Sequence, residues 1–243
     1  MLTSDCSHDV QLQFLHPQDM EKRARAFPVV YVPFGPIEWH GRHLPMGCDA
    51  LKAHGILCKT AEQYGGVVYP PFYLHDGWDS DGLNTVLVDL FQRLKDTGFR
   101  VIIGVSGHNV EGMIRMIERA LEPVTADGTV RGLGIWEFSL SEGDECNSDH
   151  AAKWETSHMM FFHPEHVDMD ALGDGPMNLD MAAPSGIGGL DPREHASAET
   201  GRRCVELAHQ AIGKKAQELL ASLPETHRAF GKPVIDVGNW WMV

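Results

Sequence analysis

The apolar and polar residues of the chain change period several times between its ends. FPVVYVPFG (27–35) is an unbroken, β-branched apolar run, which marks a strand buried on both faces. From Asp49, ALKAHGILCKTAEQYG places apolar residues at helical spacing and stops at the Gly65–Gly66 pair. VVYPPF then predicts a short strand, and LNTVLVDLFQRLKDTG (83–98) an amphipathic helix ending at a glycine. FRVIIGVSG (99–107) is the most strand-like segment, EGMIRMIERALEPV is a helix, and TVRGLGIWEFS is another strand. Residues 173–194 are rich in Gly, Pro and Asp without periodicity and predict a long loop. ASAETGRRCVELAHQAIGKKAQELLASL closes the pattern as a helix. Trp240 and Trp241, in the tail, are expected to finish the core or to pack on another subunit.

Strands alternating with helices in this rhythm predict an α/β fold of three αβα layers, with a mostly parallel sheet and helices on both faces. Ligands of such sheets bind beyond the carboxyl ends of the strands. Three polar clusters fall on that edge. GPIEWHGRHLPMGCD (35–49) follows the first strand, SGHN (106–109) follows the strand 99–105, and DHAAKWETS (149–157) follows the strand near 129–138.

Composition narrows the picture. With 243 residues, 43% of them hydrophobic, and no Pro/Ser/Gly linker or charge block, residues 1–243 are expected to form one domain. A formal net charge of −14 argues against a nucleic-acid or anionic-membrane surface. The five cysteines are odd in number, widely spaced and free of any CxxC pattern, so reduced thiols and a reducing compartment are expected. Neither a signal pattern nor an apolar run of ~20 residues is present, and a cytoplasmic location is the expectation.

Within the first cluster, Glu38 and His40 are two apart and share a face on an extended backbone. Asp49 can fold back through the turn made by Gly41, Pro45 and Gly47. His108 adds an imidazole at a strand end, and Glu155 a carboxylate at a helix start. Carboxylates mixed with imidazoles suit Zn, Mn or Fe. Three negative charges nearly balance two divalent ions, whereas without metal they would repel and raise one another's pKa. The charge count favours a dinuclear site. Of the 14 histidines, His54, His75, His158, His163, His166, His195, His209 and His227 read for the most part as surface or core residues.

GPIEWHGRHLPMGCDA resembles the signature of the creatininase family (creatinine amidohydrolases and relatives), G-x-x-E-x-H-G-x-H-L-P-x-x-x-D. SGHN is similar to that family's N-G-H block, HAAKWETS to its H-(four residues)-E-T-S block, and PSGIGGLDPREHASAETGRR to its late glycine-rich block. The resemblance implies that Glu38, Asp49 and His108 bind one ion, and that His40, a bridging Asp49 and a further acid bind the second. Creatininase proper takes that acid two residues after the N-G-H histidine, where this chain has Val110. Glu155 is the expected replacement and Glu111 the weaker candidate. The resemblance further implies that His150, preceded by Asp149, moves protons at the catalytic centre. His43, His75 and Trp78 are candidates for substrate contact, and His43 also for orienting a ligand. Ser106, Asn109 and Val110 depart from the family pattern, and FYLHDGWDSDGLN is shorter than the family's segment there. A creatininase proper is therefore not expected.

The implied function is a hydrolase in which hydroxide made at two divalent ions per chain, zinc first and manganese or iron as alternatives, cleaves a C–N bond. The substrate would be a cyclic amide, a formamide or a similar small polar molecule. Opening of a carbocyclic ketone such as a keto-inositol is the alternative, and a non-catalytic binding protein a second one. A homo-oligomer, a hexamer among its forms, is implied as well.

Overall fold

The structure is a computed structural model and describes residues 2–75, 81–141 and 146–231. After two short 3₁₀ turns come α1 (Pro17–Ala26), β1 (Val29–Pro36), α2 (Cys48–Tyr64), β2 (Val67–Val68) and β3 (Phe72–Leu74). Then follow α3 (Asp81–Thr97), β4 (Val101–Ser106), α4 (Glu111–Thr125), β5 (Arg131–Trp136), α5 (Lys153–Phe162), the one-turn α6 (Pro192–His195) and α7 (Ala198–Ala221). Trp78, Trp240 and Trp241 lie outside the described residues. The segment predicted as a loop stays irregular, apart from a bridge between Gly188 and His150 and the turn of α6.

The apolar run 27–35 becomes β1, buried along its whole length because both of its edges and both of its faces are covered. β4 pairs with one edge, in register from Val29↔Val101 to Phe34↔Ser106, and β5 pairs with β4. On the other edge VVYPPF, expected as one strand, forms two. β2 pairs with Val30 and Tyr31, and β3 with Phe34, Gly35 and Pro36. Pro70 and Pro71 fall between them, and two successive residues without an N–H cannot continue a ladder. All of these pairings are parallel.

Alternation along the strands divides the core. Val29, Tyr31, Val101, Ile103 and Val105 face Ile56, Leu57 and Ala61 of α2, Phe161 and Phe162 of α5, and Val205, Ala208 and Ile212 of α7. Val30, Val32, Phe34 and Ile102 face Leu87 and Phe91 of α3, Met116, Ile117 and Ala120 of α4, and Ala24 of α1. The result is the expected three-layer α/β/α fold. Among the described residues no helix is long and apolar enough to cross a membrane.

Packing of α5 on α7 corrects one expectation. Cys146, just ahead of the α5 loop, meets Cys204 of α7 in a disulfide with a Cα–Cα distance of 5.5 Å. The two are 58 residues apart, so their linear spacing held no sign of the pairing, and the expectation of five reduced thiols fails for this pair. Cys6, Cys48 and Cys58 are free.

Two outcomes test this layer. At Gly201 of α7 a Cβ would lie 2.0 Å from the carbonyl oxygen of Ser157 on α5, a backbone atom that cannot swing away. Gly201→Ala should therefore destabilise the fold by about 1–3 kcal/mol, the usual range for overpacking. Thermal unfolding that matches the parent would refute this close approach. His158 of α5 is buried against Phe138, and neither ring nitrogen has a hydrogen-bond partner among the described residues. Burial, with the Lys52 charge, lowers its pKa to about 3. An unfolded histidine protonates near pH ~6.5, so the fold's advantage is full above that pH and drains away as pH falls toward the folded value. His158→Leu should flatten the loss of stability between neutrality and pH ~4, as read from urea midpoints; an unaltered slope would contradict the assignment.

Candidate metal centre

The carboxyl ends of the parallel strands bring the three polar clusters together. Two glycines set the distances. At Gly35, near the end of β1, a Cβ would lie 2.3 Å from the backbone nitrogen of Ala50. At Gly107, just past β4, it would lie 2.0 Å from the carbonyl oxygen of Asp49. Only hydrogen in place of a side chain lets the first turn of α2 enter between the two strand ends. Asp49 is thereby buried next to Glu38, which follows β1, and His108, which follows β4. Ser106 fixes the turn that carries His108, its hydroxyl donating to the His108 carbonyl (2.8 Å) and accepting from the His108 N–H (3.0 Å).

Glu38, His40, Asp49, His108 and Glu155 form one cage. His40 Nε2 stands 3.6 Å from Glu38 Oε1, 3.5 Å from Asp49 Oδ2 and 3.4 Å from Glu155 Oε2. His108 Nδ1 stands 3.1 Å from Glu38 Oε1 and 3.4 Å from Asp49 Oδ2. Most of these separations exceed a hydrogen bond, and His40 Nε2 and Asp49 Oδ2 have no hydrogen-bond partner among the described residues. They do match a shared cation: oxygen or nitrogen donors ~2.0–2.2 Å from one tetrahedral ion sit about 3.3–3.6 Å from one another. Two of the triads that could hold an ion are Glu38–Asp49–His108 and Glu38–His40–His150. A third, His40–Cys48–Glu155, includes the fully buried Cys48 thiol, whose pKa burial pushes well up.

Electrostatics point the same way. Burial alone would lower the pKa of His40, but the Asp49 carboxylate and the Glu155 charge outweigh it and raise it to about 9. Burial opposes His108 likewise, yet Asp49 and Glu38 raise it to about 10. The surrounding carboxylates thus draw positive charge into the cage. Burial also opposes the ionised form of Asp49, but Lys52 and the two imidazoles hold its pKa well below the ordinary range.

Lys52 and Glu137 are the residues that sequence reasoning missed. Lys52 sits one turn after Asp49 on α2, fully buried. Its ammonium contacts Glu155 Oε1 and lies 3.1 Å from Asp49 Oδ1 and 3.3 Å from Glu137 Oε1. Burial opposes its charge, yet Glu155, Glu137 and Asp49 keep it protonated. Glu137 follows β5, and burial raises its pKa to about 7 against the opposing pull of Lys52. Glu137 left a signal in the chain, a carboxylate at the end of a fourth strand on the same edge.

The other candidates take distinct places. Glu111, at the start of α4, is exposed and pairs with Arg115, away from the cage, so the structure brings in Glu155 instead. The backbone N–H of Ala151 donates to Glu155 Oε2 at 2.7 Å, from a residue held at φ 52°. That left-handed turn costs a non-glycine residue about 1–2 kcal/mol. His150, just before it, stacks on His40 with ring centroids 4.6 Å apart, and its Nδ1 is 3.7 Å from Glu38 Oε1. Its Nε2 lies 2.7 Å from the Trp39 carbonyl, which can only accept, so Nε2 carries a proton and in the neutral ring Nδ1 offers its lone pair to the cage.

Asp149, expected beside the chemistry, instead accepts from the backbone N–H groups of Trp154 (2.8 Å) and Glu155 (3.2 Å). It caps the first turn of α5 and so positions Glu155. His43, expected at the substrate, is 1% exposed and hydrogen-bonds Thr156 of α5 through Nε2 at 2.9 Å. Burial, helped by the His40 charge, lowers its pKa to about 4 and keeps it neutral. His75 is exposed just past β3, on the same sheet edge. Trp39, Met46, Tyr73 and Val110 are also exposed on that edge, and Trp39 donates through Nε1 to the Ser185 carbonyl at 3.3 Å.

A family model described as creatininase, creatinine amidohydrolase, matches residues 13–215. The creatinine amidohydrolase of Pseudomonas putida is 26% identical over 233 residues, covering 78% of this chain and 89% of its own. A mycofactocin precursor peptide peptidase of Mycobacterium ulcerans (strain Agy99) is 27% identical over 225 residues, covering 79% and 86%. Among solved structures, a creatininase mutant of Zn-Zn type is similar with a TM-score of 0.67 at 22% identity, over 86% of this chain and 97% of the other. The matched span takes in every side chain of the cage, and the chain belongs to the creatininase family.

Proposed function

We propose that the chain is a divalent-metal-dependent amidohydrolase that cleaves a C–N bond of a small polar amide. What carries the reading is the set of donor separations, 3.1–3.6 Å among Glu38, His40, Asp49, His108 and Glu155, too long on the whole for hydrogen bonds and suited to ligands sharing a cation. Glu38, Asp49 and His108 would hold one ion. His40, Asp49 and Glu155 would hold the second, with Asp49 common to both. Carboxylate and imidazole donors of this kind take zinc, manganese or iron. Divalent cations, when bound, supply Lewis acidity that lowers the pKa of water from ~16 toward ~7 and polarises a substrate carbonyl.

The chain's own residues do the rest. Lys52 fixes one oxygen of Asp49 and one of Glu155, which leaves their other oxygens turned to the donors of the cage. His150 Nδ1 takes a proton from the attacking water and returns it to the departing nitrogen, while its Nε2–H stays on the Trp39 carbonyl and keeps the ring in that tautomer. Asp149 holds the α5 backbone from which Glu155 projects. Trp39, Met46 and Tyr73 offer apolar surface for a substrate.

A second reading keeps the chemistry and changes the substrate to a peptide amide. The name of the Mycobacterium ulcerans relative favours it, as does the exposed apolar edge. The deciding experiment presents the metal-loaded protein with lactams, formamides, short peptides and keto-inositols. Metal-dependent release of an amine supports the proposal, and ring opening of the keto-inositol alone would replace it with C–C hydrolysis. The homo-oligomer implied by the family resemblance belongs to the same proposal and is measured by sedimentation.

Two variants test the roles. Asp49→Ala should lose both ions and activity together, by metal analysis and turnover, because one carboxylate serves both; retention of full metal content would sink the shared role. His150→Ala should keep its metal and lose kcat by roughly 10²–10⁴-fold, the usual worth of a general acid or base. An unchanged rate would remove His150 from the reaction.

A further inference from the structure

Away from the cage, α2 carries a second group of metal-ligating side chains. His54 and Cys58 are four residues apart and therefore on one face of the helix. Cys6, from the segment ahead of α1, meets them, and donor atoms of all three residues lie within 4.8 Å of one another. Cys58 is nine residues beyond Asp49, about 13 Å further along a helix rising 1.5 Å per residue. The group is thus separate from the proposed catalytic site.

We propose that Cys6, His54 and Cys58 form a zinc site that fastens the N-terminal segment to α2. Two thiolates and an imidazole are the donors that select zinc over the oxygen-preferring magnesium or calcium, and two thiolate charges cancel those of Zn2+. Cys58 Sγ and His54 Nε2 share a hydrogen bond of 3.5 Å, a separation that two ligands of one ion would also have. Sulfur at ~2.3 Å and nitrogen at ~2.0–2.1 Å from one tetrahedral ion would be about 3.6 Å apart. The Lys59 ammonium contacts the Asp5 carbonyl and lies 2.8 Å from Glu62. Glu62 in turn accepts from the Ser7 N–H at 2.9 Å. These contacts already bring the segment onto α2 at this point. The three protein donors leave a fourth position for water.

Cobalt substitution of the full chain tests the site by a signal that hydrolysis does not supply. The wild-type protein should bind one more equivalent of Co2+ than Cys6→Ser/Cys58→Ser and show a thiolate-to-cobalt charge-transfer band that the double variant loses. Any band from Cys48 in the cage would persist in both and cancel in the difference. Cys6→Ser alone, on the partly exposed segment, gives the same readout if the double variant folds poorly, and His54→Gln should lose the extra equivalent with all thiols intact. Turnover by the double variant should stay within about twofold of the parent, since neither thiol touches the cage. Equal cobalt content with identical spectra would overturn the proposal, as would a Cys6–Cys58 disulfide found by non-reducing peptide mapping. Failure of the hydrolase reading would show instead as metal missing from the cage while this thiolate band remains.

Discussion

Burying several carboxylates in one pocket is the constraint around which this chain is arranged. Glu38, Asp49, Glu137 and Glu155 converge at one sheet edge, and like charges removed from water repel strongly unless cations join them. The chain supplies one of those cations itself. Lys52 holds Glu155, Asp49 and Glu137 from beneath, while the donor atoms on the far side are left to His40 and His108. Removing one partner of a buried ion pair costs about 3–5 kcal/mol in known cases, so Lys52 is as much a part of the fold as of the site. It also changes the charge balance: with a fixed ammonium present, the pocket asks less of bound ions than a count of its acids suggests.

The backbone makes this convergence possible through closeness rather than strain. Gly35 and Gly107 let α2 begin between the ends of β1 and β4, so Asp49 reaches both neighbouring strands at once. The parallel register then places Glu38, His108 and Glu137 on one edge, because each follows a strand running in the same direction. Among the described residues, the α5 loop holds the one non-glycine residue with a positive φ. Ala151 takes a left-handed turn, His150 before it faces the cage, and its own N–H meets Glu155. One residue of local strain therefore aligns a general-base candidate and a ligand candidate together.

Much of this was legible in the chain. The alternation of strand and helix patterns gave the layers, and strand ends gave Glu38, His108 and the cluster containing Glu155. What escaped had physical reasons. Lys52 read as an ordinary polar position because a single charge in an amphipathic helix does not show whether it faces water. Glu137 lay inside a segment read as strand, one residue beyond where β5 ends. Asp149 and His43 have the residue types of chemistry, but Asp149 is taken up locally by the first turn of α5, and the His43 bond to Thr156 joins residues 113 apart in the chain. The Cys146–Cys204 pair and the Cys6–His54–Cys58 group both join residues that only folding brings close. Periodicity reports which way a residue faces, not what stands opposite.

The double proline between β2 and β3 has a consequence for how copies of this protein can meet. A neighbouring chain seeking to extend the sheet on that side would find two short templates, two and three residues long, separated by positions that offer no donor. Continuous pairing there is blocked, so this margin of the sheet is guarded against runaway strand-by-strand growth, and a copy adding a strand would have to do so at the opposite margin, along β5.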